Sequence, residues 1–115
     1  MSRRTRKATP GRLRQQAPLF AALGDETRLA LLMKLSDGPL LSITRLAEGS
    51  TISRQAVTKH LRILKDAGLV RGVRRGRESL FRLEPRSLGD ARDALDRISR
   101  QWDQALARLK SFVED

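Results

Sequence analysis

The residues able to do chemistry fall in two short stretches. Between positions 53 and 62, Ser53, Arg54, Gln55, Thr58, Lys59 and Arg62 set hydroxyl, amide and cationic groups one to three residues apart. Between 74 and 77, Arg74, Arg75 and Arg77 surround Gly76. Arg and Gln can hydrogen-bond base edges bidentately, whereas Ser, Thr and Lys commonly engage phosphate oxygens. On that chemistry Arg54, Gln55 and Lys59 are expected to face bases, and Ser53, Thr58 and Arg62 to hold a DNA backbone. An ordinary solvated helix face also carries scattered charge. Three arginines within four residues around one glycine exceed what solubility requires, and they are placed to reach phosphates or a neighbouring minor groove.

His60 is the single histidine, and the chain has no cysteine. A transition-metal site needs three or four ligands, so contact with DNA or plain partial exposure is the expected use of His60. No metal site and no cofactor are expected. The sequence also offers no nucleophile–base pair, no Gly-rich phosphate loop and no ligand cluster, which argues against an enzyme.

The balance of charge points the same way. The 115 residues carry a net charge of +11, and a basic chain gains free energy on a polyanion by releasing its counterions. Residues 1–24 hold six cations and no acid, residues 53–77 hold eight cations against Asp66 alone, and the last thirty residues are neutral, six against six. A chain this long suffices for one modest domain. Apolar runs are far shorter than a membrane span needs, and Pro10, Gly11 and Arg12 stand where a signal peptide would place its apolar stretch. A soluble, cytoplasmic protein with no membrane partner is expected.

The elements that must position these groups can be read from punctuation. Residues 1–14 mix Arg, Lys, Thr, Pro and Gly with little apolar content, a composition that cannot offset the entropy of ordering. They read as a flexible basic arm, either a tail that touches phosphates or a solubilising terminus. The folded domain is expected over 15–115. A short helix at about 18–23 would bury Leu19, Phe20 and Leu23. Asp25 is a good N-cap for a helix over 25–36 with Leu29, Leu32 and Leu35 on its apolar face, stopped by Gly38 and Pro39. Ser42 can cap a brief helix ending at Gly49. Ser53 can cap a longer one, over 53–67, with Gly68 as its C′ residue and Val57, Leu61 and Leu64 as its buried stripe. Leu69 to Leu83 reads as a β-hairpin with Gly76 supplying the positive-φ turn residue. Beyond Pro85 a helix over 86–113 carries Leu88, Ala91, Leu95, Ile98, Trp102, Ala105, Leu109 and Phe112 at alternating spacings of three and four. One narrow apolar seam of that length suits pairing with a second helix, most economically the same helix of another subunit. Trp102 reads as an anchor of that interface.

Two helices joined by a tight turn, followed by a basic hairpin, make a winged helix-turn-helix of mainly α class with a small β-hairpin and a long C-terminal dimerisation helix. The sequence resembles the ArsR/SmtB family of bacterial winged-helix repressors over roughly residues 18–85. The resemblance is carried by the run from Phe20 to Leu29, the run from Ser53 to Val70, and the wing Arg74 to Arg77. It implies a homodimer, built from the first and last helices, that binds an inverted-repeat operator and represses transcription. Leu19, Leu88, Leu95, Ile98, Trp102 and Leu109 are the interface residues expected. The family's metal sensors use cysteines where this chain has Ser42 and Thr44, and terminal-helix histidines that helix 86–113 lacks beside Asp90, Asp93 and Asp96. The run from Ile98 to Leu109 looks like a metal-free subgroup that accompanies small SRPBCC-type proteins. The function expected is therefore sequence-specific binding to double-stranded DNA, with the inducer unknown. The alternative is a nonspecific architectural DNA- or RNA-binding protein.

Overall fold

The computed structural model describes residues 14–38 and 40–114; the basic arm expected at 1–14 lies outside the described residues except for Arg14. Helix α1 (Ala17–Leu23) starts with Pro18 in its first turn, where the missing N–H costs nothing, and stops at Gly24. Helix α2 (Glu26–Asp37) is capped by Asp25, whose carboxylate accepts the Arg28 N–H at 3.0 Å. Its buried residues are Leu31, Leu32 and Leu35. Leu29, expected on that face, is exposed. Steps of three residues drift around a 3.6-residue turn, and packing selects the face containing Leu31 instead.

A two-residue strand β1 (Leu41–Ser42) precedes helix α3 (Ile43–Ala47), which Ser42 caps by accepting the Arg45 N–H. Gly49 takes a φ of 74° in the turn that follows. Helix α4 (Arg54–Asp66) buries Val57, Leu61 and Leu64, the expected stripe. Its end is a Schellman motif: Gly68, at φ 81°, donates to the Lys65 carbonyl, and Leu69 donates to the Leu64 carbonyl. Leu64 and Leu69 are both fully buried, so the motif also turns the chain into the core.

Strands β2 (Val70–Arg75) and β3 (Glu78–Leu83) form the expected hairpin. Arg75 pairs with Glu78 across a two-residue turn whose first residue, Gly76, has φ 59°. The hairpin extends to a three-stranded antiparallel sheet of order β1-β3-β2, with Leu41 opposite Phe81. The core centres on Leu35, Leu46, Val57, Leu61, Leu64 and Leu69, shared by α2, α3, α4 and the entry to β2.

Helix α5 (Pro85–Glu114) has 30 residues and so runs about 45 Å at 1.5 Å per residue. The seam expected along it divides in two. Leu88 and Ala91 pack on the protomer's own core, and Ala94 is buried. From Leu95 onward the helix overshoots the domain, leaving Leu95, Trp102, Leu106, Leu109, Phe112 and Val113 exposed. Ile98 is half-buried. Leu19, expected at a subunit interface, is only 8% exposed and belongs to the protomer core, because α1 lies on α2 and α4.

Candidate nucleic-acid interface

Burial of Val57, Leu61 and Leu64 fixes which face of α4 points outward. Ser53, Gln55, Thr58, Lys59 and Arg62 then line one shallow open concavity with Ala56. Arg54 is exposed on the first turn, outside that lining. Ser53 Oγ accepts the Ala56 N–H at 3.1 Å and so serves the helix as its cap; the hydroxyl proton remains available to an acceptor. Thr58 is oriented differently. Its hydroxyl donates to the Arg54 carbonyl at 2.9 Å, so in this rotamer it has no proton left for a phosphate oxygen.

His60 turns away from this face. Its Nδ1 lies 3.3 Å from Arg28 Nη1 and 4.0 Å from Asp25 Oδ2, and its side chain is 24% exposed. Arg28 also donates from Nε to the Ala22 carbonyl at 2.6 Å, so one guanidinium joins α1, α2 and α4. The Arg28 N–H bond holds the Asp25 carboxyl below the ordinary aspartate value, opposed in part by desolvation and helped by the charge of Arg28.

A second cation of α2, Lys34, donates from Nζ to the carbonyls of Leu46 at 3.0 Å and Glu48 at 2.9 Å. It thereby satisfies carbonyls at the end of α3 and complements the negative end of that helix dipole. The helix-turn-helix is thus clamped from behind by Arg28 and Lys34, two residues that sequence reading did not single out. Their partners lie 32 and 12 to 14 positions away, beyond any local spacing rule.

At the hairpin tip Arg74, Arg75 and Arg77 are all exposed. Arg75 and Arg74 stand opposite Glu78 and Ser79 in the register. Arg71, lower on the same strand, is committed to Glu84 at 2.8 Å. The tip and the α4 face are thus two exposed groups of cations, at 74–77 and 54–62, each able to attract anions. Among the described residues no group of three or more His, Asp or Glu is placed to hold a metal, and no helix is long and apolar enough to cross a membrane.

Comparison with known proteins fits this geometry. The description "Bacterial regulatory protein, arsR family" matches residues 25–71, from the cap of α2 into β2. The HTH-type transcriptional regulator Rv2034 of Mycobacterium tuberculosis is 37% identical over 95 residues, covering 83% of this chain and 85% of that protein. The chain belongs to the arsR family. An ArsR-like transcriptional regulator from Rhodococcus sp. RHA1 superposes with a TM-score of 0.71 at 39% identity, over 89% of this chain and 95% of the other. The homodimeric winged helix-turn-helix DNA-binding domain Mb0332 from Mycobacterium bovis superposes with a TM-score of 0.62 at 25% identity, over 77% and 81%. As an arsR-family member the protein is a winged helix-turn-helix transcriptional regulator and not an enzyme.

Proposed function

We propose that the protein is a homodimeric repressor that binds an inverted-repeat operator in the cytoplasm. The observation that carries this reading is the exposed face of α4, where Gln55, Lys59 and Arg62 line one concavity, in a chain whose hairpin tip also exposes Arg74, Arg75 and Arg77. Gln55 and Lys59, with Arg54 on the first turn, read base edges in the major groove, and Ser53 and Arg62 clamp the backbone. Arg74, Arg75 and Arg77 grip phosphates on the flank. Thr58 joins the phosphate contacts only by rotating away from the Arg54 carbonyl. Two copies pair through the exposed part of α5 from Leu95 to Val113, as the apolar surface left there and the homodimeric relative both support. The pair then sets two recognition helices into successive major grooves about 34 Å apart. Repression follows from occupancy, since a dimer seated on two successive grooves excludes polymerase from the same duplex.

Selection of bound sequences from a random duplex library, at fixed salt and competitor, tests the reading. The expected result is an inverted repeat with half-sites about one helical turn apart. Tight, salt-sensitive binding with an unenriched pool overturns it and points to an architectural role, which the net charge of +11 would by itself sustain.

A further inference from the structure

We infer that His60 and Arg28 form a brace behind the recognition helix that sets its pose, so that sequence discrimination depends on a neutral imidazole and weakens as pH falls. The inference rests on the reading of α4 as the base-reading helix. Its ground is the direction of one hydrogen bond. A guanidinium only donates, so His60 Nδ1, 3.3 Å from Arg28 Nη1, must accept, and the ring proton of the neutral imidazole sits on Nε2. Asp25 Oδ2, at 4.0 Å from the same nitrogen, is too far to compete and already accepts the Arg28 N–H. The turn-mates of His60 on α4, Ala56, Val57, Ile63 and Leu64, carry no charge. Asp25 and Arg28 are therefore the charged groups described against the ring.

Arg28 is in turn fixed by its bond to the Ala22 carbonyl at the end of α1 and by its own place in the first turn of α2. The ring is thus the point where α4 is tied to two other helices at once. Protonation removes the acceptor and sets two cations side by side. The Asp25 carboxylate then draws the ring toward itself, and α4 loses its tie to Arg28.

Specific and nonspecific binding respond differently to that loss. Base readout needs side chains held within fractions of an ångström and about 10–20° of their productive geometry. Nonspecific binding comes from counterion release and needs no such register. Adding a proton even strengthens nonspecific attraction. His60 and Arg28 are thus positioning residues, and the sign of the pH effect separates this from the other use of a histidine. An imidazole touching phosphate would bind DNA more tightly when protonated.

Two measurements on the full-length dimer test the brace. The first needs no DNA: imidazole nitrogen shifts by NMR report the tautomer of His60, the single histidine. The Nε2–H form is expected, with a shift toward a tautomer mixture in Arg28→Met, which keeps much of the length of the side chain and removes its donors; a wild-type Nδ1–H form overturns the geometry. The second is the ratio of affinities for a selected operator and a scrambled duplex, measured from neutral toward acid pH. In the wild type the ratio is expected to fall about tenfold toward acid pH, the equivalent of one charge-assisted hydrogen bond. In His60→Gln, whose amide oxygen accepts without titrating, it should stay flat. Operator affinity that rises on acidification, or an unchanged ratio in wild type, refutes the brace. If no duplex is selected at any pH, the DNA-reading assignment fails, while the imidazole shifts still decide the brace.

Discussion

Trp102→Ala tests whether the overshooting half of α5 is a subunit interface. Trp102 is 67% exposed in the protomer. A tryptophan presents up to about 250 Å², which leaves about 170 Å² of its surface free. At about 25 cal/mol per Å², burying all of it stabilises by about 4 kcal/mol, and alanine retains roughly 1 of those. If a twofold pairing covers only half of each indole, the two substitutions in a dimer together cost about 3 kcal/mol, or roughly a hundredfold in the dimerisation constant. Sedimentation equilibrium across micromolar concentrations measures this directly. Alanine is the best helix former, so the circular dichroism of α5 should survive and show that only association was lost. The protein has one tryptophan, so its fluorescence reports this site alone and should resist iodide quenching under conditions where the dimer forms. A variant that associates as well as the wild type, or an indole freely quenched in the dimer, refutes the assignment of this seam.

Three further outcomes follow from the same geometry. Gln55→Ala should relax base preference at one position per half-site by about 1–3 kcal/mol while leaving the salt slope unchanged; equal weakening on all sequences would contradict its base-reading role. Arg75→Ala removes one phosphate contact per wing, so across two wings the slope of log affinity against log salt should shrink by about two, on specific and nonspecific duplexes alike. Asp25 has its pKa held below the ordinary aspartate value chiefly by the Arg28 N–H. Its contribution to stability is therefore present above the unfolded-state pKa and is lost as pH falls through the lower folded-state value. Asp25→Asn can cap α2 without titrating, so its melting temperature should decline less than that of the wild type in this acid range.

The parts of the fold governed by local chemistry were legible in the sequence. Asp25, Ser42 and Ser53 cap three helices because a short side-chain oxygen reaches the N–H three residues on. Gly68 and Gly76 hold positive φ where a helix must end and a hairpin must turn. What depends on distant partners was hidden. Strand β1 has only Leu41 and Ser42, too few to show alternation, and exists because β3 offers it an edge. Leu88 and Leu95 share one heptad column, yet Leu88 packs on the core while Leu95 is exposed, because periodicity does not say where a helix leaves its domain. Within the site, the α4 face followed from its buried stripe. The inward turn of His60, the self-directed hydroxyl of Thr58 and the clamps from Arg28 and Lys34 required knowing what stands across from them.

The most direct test of the central claim is the affinity of the dimer for its selected operator and for a scrambled duplex of equal length, both titrated over the same salt series. A sequence-reading regulator is predicted to prefer the operator by about 10³ or more, with two chains per duplex and the preference persisting as salt weakens both complexes. A ratio near one at every salt concentration, with both affinities following a single counterion-release line, would contradict it.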